Sequence, residues 1–134
     1  MSRGLGDVYK RQIIYNADAL EIYKTVYICE GAINAETIGE NGIATGGKAI
    51  SRYQVNRFIK SPVEKFIILI DPDAKDKALD LAFKLVPFKK VKVVFLPDNE
   101  DVNSLGKRKT LEYVRKTTYQ TYQELLTIKS ELKL

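Results

Sequence analysis

The chain has 134 residues, of which 45% are hydrophobic and 29% charged, with a formal net charge of +5, a profile that fits one globular domain with an ordinary core and excludes a disordered chain. No apolar run approaches the roughly 18 residues that span a bilayer and the N-terminus lacks an apolar signal core, so the sequence reads as soluble and intracellular. A single Cys29 and no histidine exclude an internal disulfide framework, a structural zinc site and a His-based triad, so any metal would be held by oxygen.

Residues 1–12 are rich in glycine and charge, follow neither a helical nor a strand period, and read as an unstructured leader. The stretch looks like a translated adapter scar, which would make the chain a piece of a longer protein. Hydrophobic periodicity then predicts a strand near 26–29, a short helix near 33–39, a strand near 42–45, a helix near 51–60 and a strand over 66–70. A helix over 74–86, a strand over 91–96 and a long basic helix from about 107 complete the chain. Alternating strands and helices predict an α/β fold with a parallel sheet.

The helix over 74–86 is the clearest, with Ala78, Leu81, Ala82 and Leu85 on one face and Lys75, Asp76, Lys77, Asp80 and Lys84 on the others. Pro87 marks its end. Ser61-Pro62 ends the preceding helix, because the residue before proline is pushed out of the helical region. In the last helix Leu111, Val114, Thr118, Tyr122 and Leu125 form a narrow stripe, interrupted by the β-branched Thr117-Thr118 pair. That helix is expected to pack at its start, with 126–134 fraying or docking on another domain. From residue 105 onward seven basic residues face three acidic ones, a bias that suits a phosphate backbone as well as an ordinary solvated face.

Three of the predicted strands stop at acids. Phe66-Ile67-Ile68-Leu69-Ile70 ends in Asp71-Pro72-Asp73, Val26-Tyr27-Ile28-Cys29 ends in Glu30-Gly31, and the strand over 91–96 is followed by Asp98, Glu100 and Asp101. In a parallel α/β sheet ligands bind outside the carboxyl ends of the strands. If Asp71 and Asp73 continue the extended chain, they share one face about 6–7 Å apart. With Glu30 on a neighbouring strand, like charges ~4 Å apart would repel by roughly 4 kcal/mol at an effective dielectric near 20. A divalent ion removes that repulsion, and carboxylates without His or Cys favour Mg²⁺ or Mn²⁺. The bland alternative is helix capping, with Asp73 as N-cap of the following helix and Asp71 serving the turn.

Other features carry less. Gly42-Ile43-Ala44-Thr45-Gly46-Gly47-Lys48 has the spacing of a phosphate-binding loop, but Ala49 replaces the required hydroxyl and the predicted strand falls inside the motif. Gly46-Gly47 reads instead as a tight turn or a close backbone approach to the site. Cys29 reads as a small buried core residue, and Tyr113, Tyr119 and Tyr122 as packing residues more than as stacking platforms for single strands.

With these residues in hand, the chain resembles a Toprim domain of the kind found in bacterial and phage-type DNA primases. The resemblance covers about residues 13–106. It rests on Tyr27-Ile28-Cys29-Glu30-Gly31-Ala32-Ile33-Asn34-Ala35, on Asp71-Pro72-Asp73, and on Leu96-Pro97-Asp98-Asn99-Glu100-Asp101-Val102-Asn103. It implies a three-layer α/β/α fold with a central parallel four-stranded sheet, Glu30, Asp71 and Asp73 as catalytic and metal-site acids, and Asp101 as an assisting ligand of Mg²⁺ or Mn²⁺. The implied activity is metal-dependent nucleotidyl transfer, making RNA primers from nucleoside triphosphates on single-stranded DNA in the bacterial cytoplasm, with a replicative helicase as partner. Lys48, Arg52, Lys107, Arg108 and Lys109 are the candidate phosphate contacts.

A complete primase also needs a template-reading zinc module and a basic N-terminal half of its polymerase region, so the chain is expected to be a catalytic fragment with little activity alone. It departs from the family at Asn34, where primases carry a second acid, at Asn103, where many carry Asp, and at Ala74-Lys75-Asp76, where Ala-Gly follows the acidic pair. Fewer acids weaken the case for a second metal. They leave two rivals: a Toprim-type metal-dependent nuclease, and a degenerate, non-catalytic nucleic-acid-binding module.

Overall fold

Four short apolar segments form strands β1 (Thr25–Cys29), β2 (Gly42–Ala44), β3 (Lys65–Leu69) and β4 (Lys90–Val93) in the protein's structure, a computed structural model that describes residues 13–46 and 49–134. The expected leader and Lys48 lie outside the described residues. All pairings are parallel, in the order β2-β1-β3-β4, and helices make the crossovers that parallel neighbours require. These are α1 (Ala19–Ile22), α2 (Ala32–Ile38), α3 (Arg52–Lys60), α4 (Lys75–Leu85), α5 (Val102–Leu105), α6 (Lys107–Lys116) and α7 (Tyr122–Glu131).

The strand side chains alternate between two cores. Val26, Ile28, Phe66, Ile68, Val91 and Val93 face one side, where Leu20 of α1, Phe58 of α3, Leu81 and Leu85 of α4 and Leu125 of α7 cover them. Cys29, Ile67, Leu69 and Val94 face the other, beneath Ala35 and Ile38 of α2, Val102 of α5 and Val114 of α6. The result is the expected three-layer α/β/α fold, and it explains why the strands are apolar on both faces instead of alternating with polar residues.

Several boundaries differ from expectation. Strand β3 ends at Leu69, and Pro72–Ala74 forms a 3₁₀ turn, because proline presets the φ of a turn and interrupts the extended chain. The i, i+2 extended geometry expected for Asp71 and Asp73 is therefore absent. Helices α1 and α5, of 4 residues each, are too short to show a period.

The C-terminal segment is corrected more substantially. The single basic helix expected over 107–134 is two helices, separated by an extended break at Thr117. Helix α6 packs on one face of the sheet and α7 on the other, so the chain must cross the free edge of β4 between them. Gln120 makes the crossing: its backbone N–H donates to Val91 O at 2.9 Å, while its side-chain amide accepts from Val93 N at 2.8 Å and donates to Val93 O at 3.2 Å. An amide side chain thus completes a ladder that would otherwise be an open edge. Residues beyond 126 do not lack a partner, since Ile128 and Leu132 pack against the core around the fully buried Leu125. The opposite edge, β2, is met by Tyr15 in an antiparallel bridge to Ala44.

Among the described residues no helix is long and apolar enough to cross a membrane.

Candidate active site

Strands β1 and β3 are neighbours, yet the chain leaves β1 through α2 on one face and β3 through α4 on the other. The carboxyl ends of these two strands therefore border the crevice where open α/β sheets bind ligands. Cys29 is paired with Leu69 in the ladder, so Glu30 and Asp71 follow adjacent strand ends. Asp71, Pro72 and Asp73 line a cavity of about 310 Å³ together with Asn99, Glu100, Asp101 and Ser104, from the loop between β4 and α5 and from α5 itself. Topology thus joins the Asp pair to Asp101 from distant parts of the sequence, as the strand-end pattern predicts.

The acids feel one another. The Asp71 carboxyl is held above its ordinary proton affinity, first by burial and then by the charges of Glu30, Asp101 and Asp73, with Lys77 opposing. Cys29, fully buried beside this edge, has its thiol pushed up to about 12 by desolvation and, secondarily, by Asp71. It is the inert core residue that its position in β1 suggests.

The capping alternative fails for the Asp pair. Neither the 3₁₀ turn after Asp71 nor α4, whose N-cap is Ala74, has a side-chain cap, so neither carboxylate is committed to a helix end. Asp101 is different: it caps α5, accepting from Ser104 N at 2.8 Å while Ser104 Oγ accepts from Asp101 N at 2.9 Å. Glu30 accepts a hydrogen bond from Lys77 Nζ at 3.0 Å. With Glu30 and Asp101 so engaged, no group of three acids is gathered tightly enough to hold an ion among the described residues.

The two asparagines at the positions of departure meet. Buried Asn34 accepts from Asn103 N at 3.0 Å, and Thr37 Oγ1 lies 3.4 Å from Asn103 Oδ1 as its donor. They tie α2 to α5, a role that sequence inspection did not find. It also missed Lys77, whose only sequence signal is its place three residues into the helix that follows the Asp pair.

The basic candidates are dispersed. Arg52 opens α3, and a helix returning from a parallel strand begins on the carboxyl-edge side. Lys107 lies over Gly39, where a β-carbon would come 3.3 Å from its Nζ, at the end of α2 remote from that edge. Arg108 pairs with Glu112 at 3.5 Å on the surface of α6, and Lys109 is exposed. Gly46 has φ +68° with open space around it, so the turn and not a close approach requires the glycine. Its N–H donates to Glu30 O at 2.8 Å, which brings the loop after β2 to the acidic edge.

No protein-family model and no curated protein matches the chain. Solved structures do. The E. coli primase catalytic core aligns with TM-score 0.73 and 16% identity, over 93% of this chain and 45% of that one. The DnaG primase catalytic domain bound to ssDNA aligns with TM-score 0.69 and 20% identity, over 88% and 43%. The Aquifex aeolicus primase, comprising zinc-binding and RNA polymerase domains, aligns with TM-score 0.67 and 21% identity, over 83% and 31%. The chain shares its fold with primase catalytic cores. At these identities the likeness is one of fold, and the chain spans less than half the length of each of those structures.

Proposed function

We propose that the chain is the Toprim part of a DNA primase, carrying the acids for metal-dependent nucleotidyl transfer onto RNA primers on a single-stranded DNA template. The observation that carries this reading is geometric: Asp71 and Asp73 share one cavity with Glu100 and Asp101, and Glu30 follows the neighbouring strand end at the crevice between β1 and β3. Burial first, and the charges of Glu30, Asp101 and Asp73 second, raise the Asp71 carboxyl. The donor set suits Mg²⁺ or Mn²⁺: it is all carboxylate oxygen, Asp71 and Asp73 are free of capping duties, and an ammonium already sits on Glu30 as a stand-in cation. Glu30, Asp71, Asp73 and Asp101 are the residues that would hold the ion. When bound, such an ion clamps phosphate oxygens of an incoming nucleoside triphosphate and favours ionisation of the attacking 3′-hydroxyl.

The chain's own residues supply the rest. The β1–β3 switch point fixes where the carboxylates stand. Arg52 supplies positive charge for phosphates, and Lys48, four residues earlier in the sequence, is the further candidate. The exposed cations of α6, Lys107, Arg108 and Lys109, offer a sequence-independent surface to a nucleic-acid backbone. A replicative helicase as partner and the bacterial cytoplasm as setting complete this reading.

A second reading has its own support. Asn34 and Asn103 bond to each other, and Asp101 caps a helix, as suits a non-catalytic module that binds nucleic acid. The two are separated by incubating the protein with single-stranded DNA, Mn²⁺ and labelled ribonucleoside triphosphates. Short labelled products that vanish in Asp71→Asn support the primase reading. DNA binding that is indifferent to Mn²⁺ and to that substitution supports the module, and shortening of nucleic acid without added nucleotides supports a nuclease.

A further inference from the structure

Lys77 is the third residue of α4, a place where a cation opposes the helix macrodipole and an acid would be favoured. Helix stability therefore does not account for it. Its ammonium instead reaches back to the end of β1, 3.0 Å from Glu30 Oε2, with the two side chains only 14% and 29% exposed. Its charge also acts on Asp71, opposing that of the other acids.

We propose that Lys77 is the internal counter-cation of the acidic crevice: its ammonium holds Glu30 in the metal-free protein and gives Glu30 up when a divalent ion binds. The inference rests on the metal-site reading above and adds to it a means of control. A lone ion must compete with the tethered ammonium for Glu30. An ion arriving with a triphosphate brings negative charge that offers the displaced ammonium a new partner, so metal and nucleotide bind cooperatively. Cooperativity of this kind is a coupling between two ligands and is reciprocal.

The test is a Mn²⁺ titration of the full chain, followed by the electron paramagnetic resonance of the free ion, with and without a nucleoside triphosphate. Without nucleotide, Lys77→Met binds Mn²⁺ about tenfold more tightly than the native chain, the scale expected when a unit charge leaves a partly buried site. Lys77→Arg keeps the native affinity. Added triphosphate strengthens Mn²⁺ binding less in Lys77→Met than in the native chain. In a Glu30→Gln background, Lys77→Met brings a smaller gain, because only the action of its charge on Asp71 is left to remove. If Lys77→Met melts below the assay temperature, Lys77→Gln removes the charge while keeping a donor to Glu30 and gives the same comparison. Equal or weaker Mn²⁺ binding in the folded Lys77 variants overturns the assignment. If Asp71→Asn also leaves Mn²⁺ binding untouched, the metal site itself falls; if only the Lys77 comparison is flat, the counter-cation role falls alone.

Discussion

Asn34 Oδ1 accepts the backbone N–H of Asn103 at 3.0 Å across 69 residues of sequence, joining the helix after the first acidic strand end to the helix after the last. The bond is part-buried, so losing the acceptor leaves an N–H without a partner. Asn34→Ala should lower unfolding free energy by about 1–3 kcal/mol in urea denaturation. Asn34→Asp keeps an acceptor for that N–H and should cost less. A neutral Asn34→Ala would show that the bond does not hold α2 to α5.

Asp71 links the site to stability. Its carboxyl binds a proton more tightly in the folded chain, because of burial and of Glu30, Asp101 and Asp73. The stability this group contributes is therefore full below the ordinary carboxylate range and is lost as pH rises through the elevated folded value. Asp71→Asn removes that loss. The metal-free variant should melt above the native chain at pH 7, with the difference closing toward pH 3, as followed by circular dichroism. A variant that melts lower at pH 7 would mean that the Asp71 carboxylate is stabilised, not strained, by its surroundings.

The C-terminal crossing predicts two separable losses. Gln120→Ala removes both side-chain bonds to Val93 and should destabilise by about 1–3 kcal/mol. Leu125→Ala truncates a fully buried side chain and should cost about 2–5 kcal/mol. Limited proteolysis of either variant should cut first between 117 and 121. Native-like resistance would place α7 outside the cooperative fold.

Cys29 offers a probe of the core beside the site. With its thiol pushed up to about 12 and its side chain fully buried, it should resist iodoacetamide at pH 8 and react freely in denaturant. Rapid native labelling would show that the edge of β1 opens.

The strands were legible because burial on both faces makes the central β3 a nearly continuous apolar run and leaves β4 its alternating valines, and the acids because a parallel sheet sends its strand ends to one edge. Geometry within Asp71-Pro72-Asp73 was not, since Pro72 turns a nominal strand extension into a 3₁₀ turn. The stripe through Thr118 and Tyr122 assumed one helix. The break depends on Gln120 meeting the β4 edge 27 residues away, which no local period reports. The same holds for Lys77 and Glu30, 47 residues apart: Glu30 reads as a strand-end acid and Lys77 as surface charge until the fold brings them together.

The most direct test of the central claim is calorimetric titration of Mn²⁺ or Mg²⁺ into the native chain and into Asp71→Asn/Asp73→Asn, with and without a nucleoside triphosphate. The account predicts binding that nucleotide strengthens and that the double variant loses while remaining folded. A folded native chain that binds neither ion at millimolar concentration, with or without nucleotide, would contradict it and leave the non-catalytic module as the better description.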